Sequence, residues 1–265
     1  MEHYKPEFYV EEASKNIRGF VKANNDKLWD IFIPLIPFIF GLNLLDALVT
    51  GLYFPNSRMG FMGGELLATY FTMVLVISWH RVVINGPDHY VPMNPFKPQK
   101  HELGFIGMGL ALWALIVGVA YGVSFFLSPF GAGMTLLVLA VSVIVLAYVS
   151  YRLCFYFPAK AIDKSITLEE AYAMSNGYLL KIIFSSILAS LRVIALAILA
   201  SIVTMIIVKI AMPTLQTPSV GNQMAEFAKS LPMMLYFQPI LSVIGVTAIS
   251  NYYMWAKSNQ GQIAS

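Results

Sequence analysis

Two short sets of polar residues interrupt otherwise apolar runs of this chain, and each repeats at helical spacing. Asn43, Asp46 and Thr50 recur at i, i+3 and i+7, and Glu65, Thr69 and Thr72 at i, i+4 and i+7. On an α-helix each set occupies one face. A carboxylate among hydroxyls in a low-dielectric setting can bind a cation or pass protons, and ionisable groups at membrane depth are costly enough to mark functional sites. The same groups also serve as interhelical glue, with Asp46 protonated or bonded to nearby hydroxyls and Glu65 at the interface. Both readings stay open at this level.

A further set is basic. His80, Arg81, Arg152, Lys181 and Arg192 stand near the ends of apolar runs, where cationic side chains can contact phosphates or lipid headgroups. Arg192 would need a carboxylate such as Asp46 if it lay at mid-membrane; if the run around it begins as an interfacial helix, it is an anchor that reaches the headgroups. The third set is small: Gly107, Ala111, Ala114, Gly118 and Gly122 follow one another by steps of four, three, four and four. One edge of that helix lacks bulky side chains, and Gly118 with Gly122 forms a GxxxG pair. Packing within the chain is the plain expectation for these residues. Contact with a second copy or another membrane protein is the sharper one.

No Walker loop, HExxH, GxSxG or dinucleotide fingerprint is present, so no catalytic residue and no cofactor is expected. His80, His89, His101 and Asp88 match no metal-ligand spacing and surround a proline-rich connector, so no metal site is expected either. Cys154 has no partner in the chain, which excludes an intramolecular disulfide. A net charge of +3 spread over 17 basic and 14 acidic residues does not point to nucleic acid.

The elements that must position these residues are membrane spans. Of the 265 residues, 58% are hydrophobic and 12% charged. A helix needs about 20 apolar residues to cross the hydrocarbon, and six runs meet that requirement: 28–54, 62–84, 103–127, 134–157, 178–212 and 231–255. The fold class is therefore all-α, a polytopic membrane protein with six transmembrane helices. The chain divides into a segment 1–27, a six-helix domain 28–257 and a tail 258–265. The first run is too long for a signal-peptide core, so no leader is expected to be removed.

An even number of spans puts both termini on one side. That side collects 13 lysines and arginines against 3 on the other, with Arg192 left out, so the positive-inside rule makes both termini cytoplasmic. Trp29, Trp79 and Trp255 fall at span ends on the same side, where amphipathic rings favour the headgroup layer.

Two short interfacial helices are expected on that side. Val10, Ala13, Ile17, Phe20 and Val21 form an apolar stripe among charged residues. Thr167 and Glu170 have capping-box spacing, with Gly177 as the stop, which predicts a helix over 168–176. The connector 85–101 carries four prolines and should be extended. Pro34 and Pro37 should kink the first span. The fifth run, at about 52 Å of helix, is too long for a simple crossing; Lys181, Ser185 and Arg192 share a face, which predicts an interfacial lead-in over 178–191 and an anchoring Arg192.

Arg152, the triplet Phe157-Pro158-Ala159, the pair Ala161-Ile162, Glu170-Ala171 and Ser175-x-Gly177 form a connector that resembles one found in bacterial six-span proteins. These are the YciC-like group and the membrane domain fused to some glycerophosphoryl diester phosphodiesterases. The resemblance implies the fold, an interfacial helix leading into the first span, and Arg152 and Pro158 as landmarks. It implies no catalytic residue. The expected function is a non-enzymatic protein of the bacterial inner membrane, an accessory or scaffold subunit that binds membrane lipids, another membrane protein or a second copy. The alternative is a small transporter or ion- or proton-coupled protein using Asp46 and Glu65.

Overall fold

A computed structural model describes residues 4–53, 63–127, 129, 131–211 and 220–263. The stretch 54–62 between the first two runs, with Arg58, lies outside the described residues, as does Met212 at the end of the fifth run. Among the described residues all regular structure is helical, and six helices are long and apolar enough to cross a membrane. The polytopic all-α fold stands.

The described residues open on a non-helical strap, 4–9, which enters α1 (Val10–Ala23). The apolar stripe of α1 does not lie bare on a bilayer. Ala13, Ile17, Phe20 and Val21 are buried against α9 (Leu179–Ala211) and α11 (Gln238–Ile263). The strap is pinned to α11 through Asn251, whose Oδ1 accepts from the Tyr4 hydroxyl at 3.0 Å and the Glu7 N–H at 2.7 Å. Its Nδ2 donates to the Glu7 carbonyl at 2.7 Å, and Phe8 stacks on Trp255 with ring centroids 4.2 Å apart. Segment 4–27 is thus part of the core.

The first span is α2 (Asn25–Phe32), a 3-10 turn over Ile33–Leu35, and α3 (Ile36–Tyr53). The turn falls where Pro34 and Pro37 withhold backbone donors, as their placement predicts. It is followed by α4 (Gly63–Asn85), the most enclosed of the spans, with 61% of its most apolar window buried. Gly64 allows α4 to approach α3 closely: a Cβ there would stand 2.6 Å from the Leu42 carbonyl oxygen and 2.7 Å from the Asp46 Cβ.

After the non-helical connector come α5 (Lys100–Leu127) and α6 (Ala132–Arg152), a hairpin in which α6 rests chiefly on α5 and none of its most apolar window is buried. The fourth span ends at Arg152 rather than Phe157. The chain turns at 153–155 and resumes as α7 (Tyr156–Ala161), with Pro158 in its first turn, where a missing N–H costs nothing. Helix α8 (Leu168–Met174) carries the full capping box of Thr167 and Glu170, and Gly177, at φ +80°, closes the turn after it.

The fifth run forms one helix. Over 33 residues α9 shows no break near Leu191, so the interfacial lead-in does not exist as a separate element. Its first half buries Ile182, Ser185, Ala189 and Ser190, while Leu199, Ile207 and Ile210 near its end are exposed.

The sixth run begins early. Helix α10 (Val220–Pro232) passes through a π-helical segment, Met233–Phe237, into α11. Pro239 cannot donate to the carbonyl of Leu235, four residues back, which gives a physical reason for the widened backbone just before it.

Trp79, Tyr252, Phe155, Leu28, Leu75, Ile77 and Ile182 are among the largest fully buried side chains. They place the tight core at the end of the bundle where α1, α7 and the end of α11 meet.

Candidate functional site

The two polar faces of the first hairpin do meet in part. Asn43 from α3 and Thr69 and Thr72 from α4 line one cavity of about 290 Å³. Ser230 and Gln238, on either side of the π segment, and Trp113 of α5 complete its polar and aromatic wall. Among the described residues none of its lining side chains is charged. A narrower extension shares Ile39, Thr72, Met234 and Gln238 with it and continues to Ser242 and Phe32. Asn43 Nδ2 donates to the Ile39 carbonyl at 2.7 Å, and the Thr72 hydroxyl donates to that of Ala68 at 3.1 Å, so both side chains also satisfy their own helix.

Asp46 and Thr50 stand outside this lining. Asp46 is half-buried beside Gly64, and Thr50 is buried. Glu65 lies in the first turn of α4, but its side chain lies outside the described residues. The cavity is suited by its chemistry to an uncharged hydrogen-bonding group.

The basic candidates have other employment. Arg81 is 8% exposed and commits its whole guanidinium to the protein. Its Nε donates to the Ala161 carbonyl at 2.7 Å, Nη1 to that of Val91 at 3.1 Å, and Nη2 to Glu102 Oε1 at 2.7 Å. The same Nη2 lies 3.0 Å from His101 Nε2, while His101 Nδ1 faces Asp163 at 3.2 Å. Glu102 is 2% exposed, and its second oxygen accepts the Gln99 N–H at 2.6 Å. This lock ties α4, the connector, α5 and α7 into one body. Removing one partner from a buried pair typically costs 3–5 kcal/mol, roughly, because the other charge is stranded.

His80 is likewise interior: at 1% exposure its Nδ1 bonds the Ser250 hydroxyl at 2.8 Å. Trp79, fully buried, donates to Thr247 at 2.9 Å and is no headgroup anchor. His80 and Arg81 are therefore not headgroup contacts; they are the polar part of the core.

Arg152 is drawn onto α8. Its guanidinium sits 3.9 Å from the Tyr172 ring centroid and donates to the Tyr172 carbonyl at 2.9 Å and to Asn176 Oδ1 at 3.0 Å. Lys181 Nζ lies over the Phe8 ring at 2.9 Å, so it holds the strap. Arg192, exposed midway along α9, enters no ion pair among the described residues. Arg192 lies two turns beyond Ser185 on the same helix, but the neighbours that cover Ser185 leave Arg192 open.

The small edge of α5 gives the clearest departure from the plain expectation. Gly107, Ala111, Ala114 and Gly118 are exposed, and a Cβ added at Gly107, Gly118 or Gly122 meets nothing within 4 Å. Among the described residues no helix of the chain closes on Gly107, Gly118 or Gly122.

Glu102, Ser230, Gln238 and Trp113 are the site residues that spacing alone missed. Ser230 and Gln238 carried a signal, as polar residues flanking Pro232 and Pro239 inside an apolar run. Among the described residues, no group of three or more His, Cys, Asp or Glu side chains gathers as a metal site would require. No protein-family model, no curated protein and no solved structure matches this chain.

Proposed function

We propose that this chain is a non-enzymatic subunit of the bacterial inner membrane that holds another helical membrane protein, or a second copy of itself, along α5. The supporting observation is the open small-residue edge from Gly107 to Gly122, which lets a foreign helix backbone approach as closely as α4 approaches α3 at Gly64. Kinship with the YciC-like group and the cytoplasmic placement of both termini, from the basic-residue asymmetry, belong to the same proposal. The test is recovery of the protein from its own membrane in nanodiscs, followed by mass spectrometry of what comes with it. Ala114→Leu with Gly118→Leu should abolish the stoichiometric partner and leave thermal unfolding unchanged. Equal recovery with the double variant removes the reading.

The cavity between α3, α4 and the π segment favours a second reading, a small transporter, because polar groups from three spans converge there. Its lining fits a neutral solute better than an ion. Gln238→Leu with Thr72→Val should then stop solute flux into vesicles, and Asp46→Asn should stop any coupled ion movement. Flux that survives all three substitutions excludes this site.

A further inference from the structure

A cavity of about 480 Å³ opens where α7, α8 and the end of α11 converge. Its rim carries Lys164, Ser165 and Lys257, and its apolar floor includes Ala159, Met174 and Tyr253. The walls are fixed. Ala159 is fully buried, and Tyr253 is 3% exposed. The Lys164 N–H is bonded to the Ala159 carbonyl at 2.9 Å, just after Asp163 takes the left-handed conformation at φ +56°. On the opposite wall Glu170 is held by its capping box, with Oε2 accepting the Thr167 N–H at 2.7 Å. Asp163 is turned toward His101 and away from the lysines' service.

The two lysines differ from the arginines at this end of the bundle. Arg81 and Arg152 are held by carbonyls, a carboxylate, an amide and a ring, whereas neither Lys164 nor Lys257 enters an ion pair among the described residues. Lys257 Nζ is 6.0 Å from the Tyr253 ring centroid, above the apolar floor. Two ammonium groups and a hydroxyl at the mouth of an apolar recess match an anionic head on a hydrocarbon body. The recess falls within the size range of small-molecule sites, about 300–1,000 Å³.

We propose that this cavity binds a phosphate group, with Lys164 and Lys257 on its oxygens, Ser165 donating to it, and the apolar floor taking the adjoining hydrocarbon. The inference stands apart from the reading of α5, since no residue of that helix takes part. Phosphate of this kind comes from a lipid headgroup or from a soluble phosphate ester, and binding experiments separate the two.

The full chain, purified in a neutral detergent, is titrated with dihexanoyl phosphatidylglycerol, dihexanoyl phosphatidic acid, glycerol 3-phosphate and inorganic phosphate, and binding is read by calorimetry. Tighter binding of the short-chain lipids than of glycerol 3-phosphate assigns the site to lipid; equal binding assigns it to a soluble ester. In either case Lys164→Gln and Lys257→Gln should each weaken binding about tenfold, the size of one charge-assisted hydrogen bond. Glu170→Gln keeps the cap and removes a negative charge from the lining, so it should tighten binding. Lys22→Gln, at an exposed position on the outer face of α1, is the control for general surface charge. The proposal is overturned if none of the four probes binds, if the two rim variants bind as the parent does, or if Lys22→Gln weakens binding as much as they do. Matching thermal unfolding of all variants keeps a folding defect from imitating the expected loss.

Discussion

The hairpins α3–α4 and α5–α6 are built from the same materials and end in opposite states. Both are long, apolar and punctuated by glycines. In the first, Gly64 is filled to the limit by the Leu42 carbonyl and the Asp46 side chain, and α4 has 61% of its apolar window buried. In the second, Gly107, Gly118 and Gly122 look onto open space, and none of the corresponding window of α6 is buried. In hydrocarbon there is no hydrophobic force to hide an apolar face, so a small residue has value only where another backbone arrives. The first hairpin has found its neighbour, and the second presents the same kind of surface outward.

The largest effect should come from breaking what fastens the two hairpins together. Arg81→Leu strands Glu102, which is 2% exposed, and should cost about 3–5 kcal/mol of stability. Thermal unfolding in detergent should show a large drop. Arg81→Leu with Glu102→Leu should recover part of that loss, because the stranded charge is then gone. If the single variant melts like the parent, the lock does not hold the hairpins.

Next in size is the filled glycine. Gly64→Ala places a methyl 2.6 Å from a backbone oxygen that cannot rotate away, so α3 and α4 must separate. Overpacking of this kind costs about 1–3 kcal/mol. Gly109 is an instructive contrast inside α5: its added Cβ would stand 2.7 Å from the Met73 Cε, the far end of a flexible side chain that can give way. Gly109→Ala should therefore cost less than Gly64→Ala in the same unfolding measurement, and a reversed order would contradict the packing described for the first hairpin.

How much of this was legible beforehand follows from the same physics. The six runs, the turn at Pro34 and Pro37, and the capping box at Thr167 and Glu170 were readable because run length, missing donors and cap chemistry are local. The joining of Asn43 with Thr69 and Thr72 was partly readable, since helical spacing tells which residues share a face. It does not tell what the face meets. A small-residue stripe looks the same whether a helix of the chain covers it or not, which is why α5 was expected to pack inward. Trp79, His80 and Arg81 were misplaced for a related reason: the end of a span resembles the headgroup zone in composition, and only the folding back of α7, α1 and the connector over it makes it a core. The apolar stripe of α1 met the same fate, with α9 and α11 taking the place of lipid.

The strap offers a smaller, pH-dependent break. Burial, with Tyr252 and Glu7 nearby, raises the Tyr4 phenol above its ordinary value of 10.0. An acid whose folded pKa is raised keeps its proton longer in the folded state than in the unfolded one, so its contribution is full below about 10 and is lost as pH rises beyond that. Above that point the strap should detach from Asn251, and cleavage within residues 4–9 by subtilisin, a broad-specificity protease active at alkaline pH, should accelerate. Tyr4→Phe should remove the pH step while leaving the Glu7 and Asn251 bonds, and a step that persists in the variant would assign it to another group.

The smallest expected effect sharpens the comparison most. Gly118→Ala adds a methyl to a site with nothing within 4 Å, and it replaces a helix-interior glycine with a better helix former. Stability of the isolated protein should stay within about 0.5 kcal/mol of the parent. Gly64→Ala, the same chemical change in the other hairpin, should lower it, so the pair of variants measures occupancy of a helix face rather than intolerance of glycine replacement. A clear loss at Gly118 in the isolated chain would mean that α5 is already covered from within, and the outward face proposed for a partner would not exist.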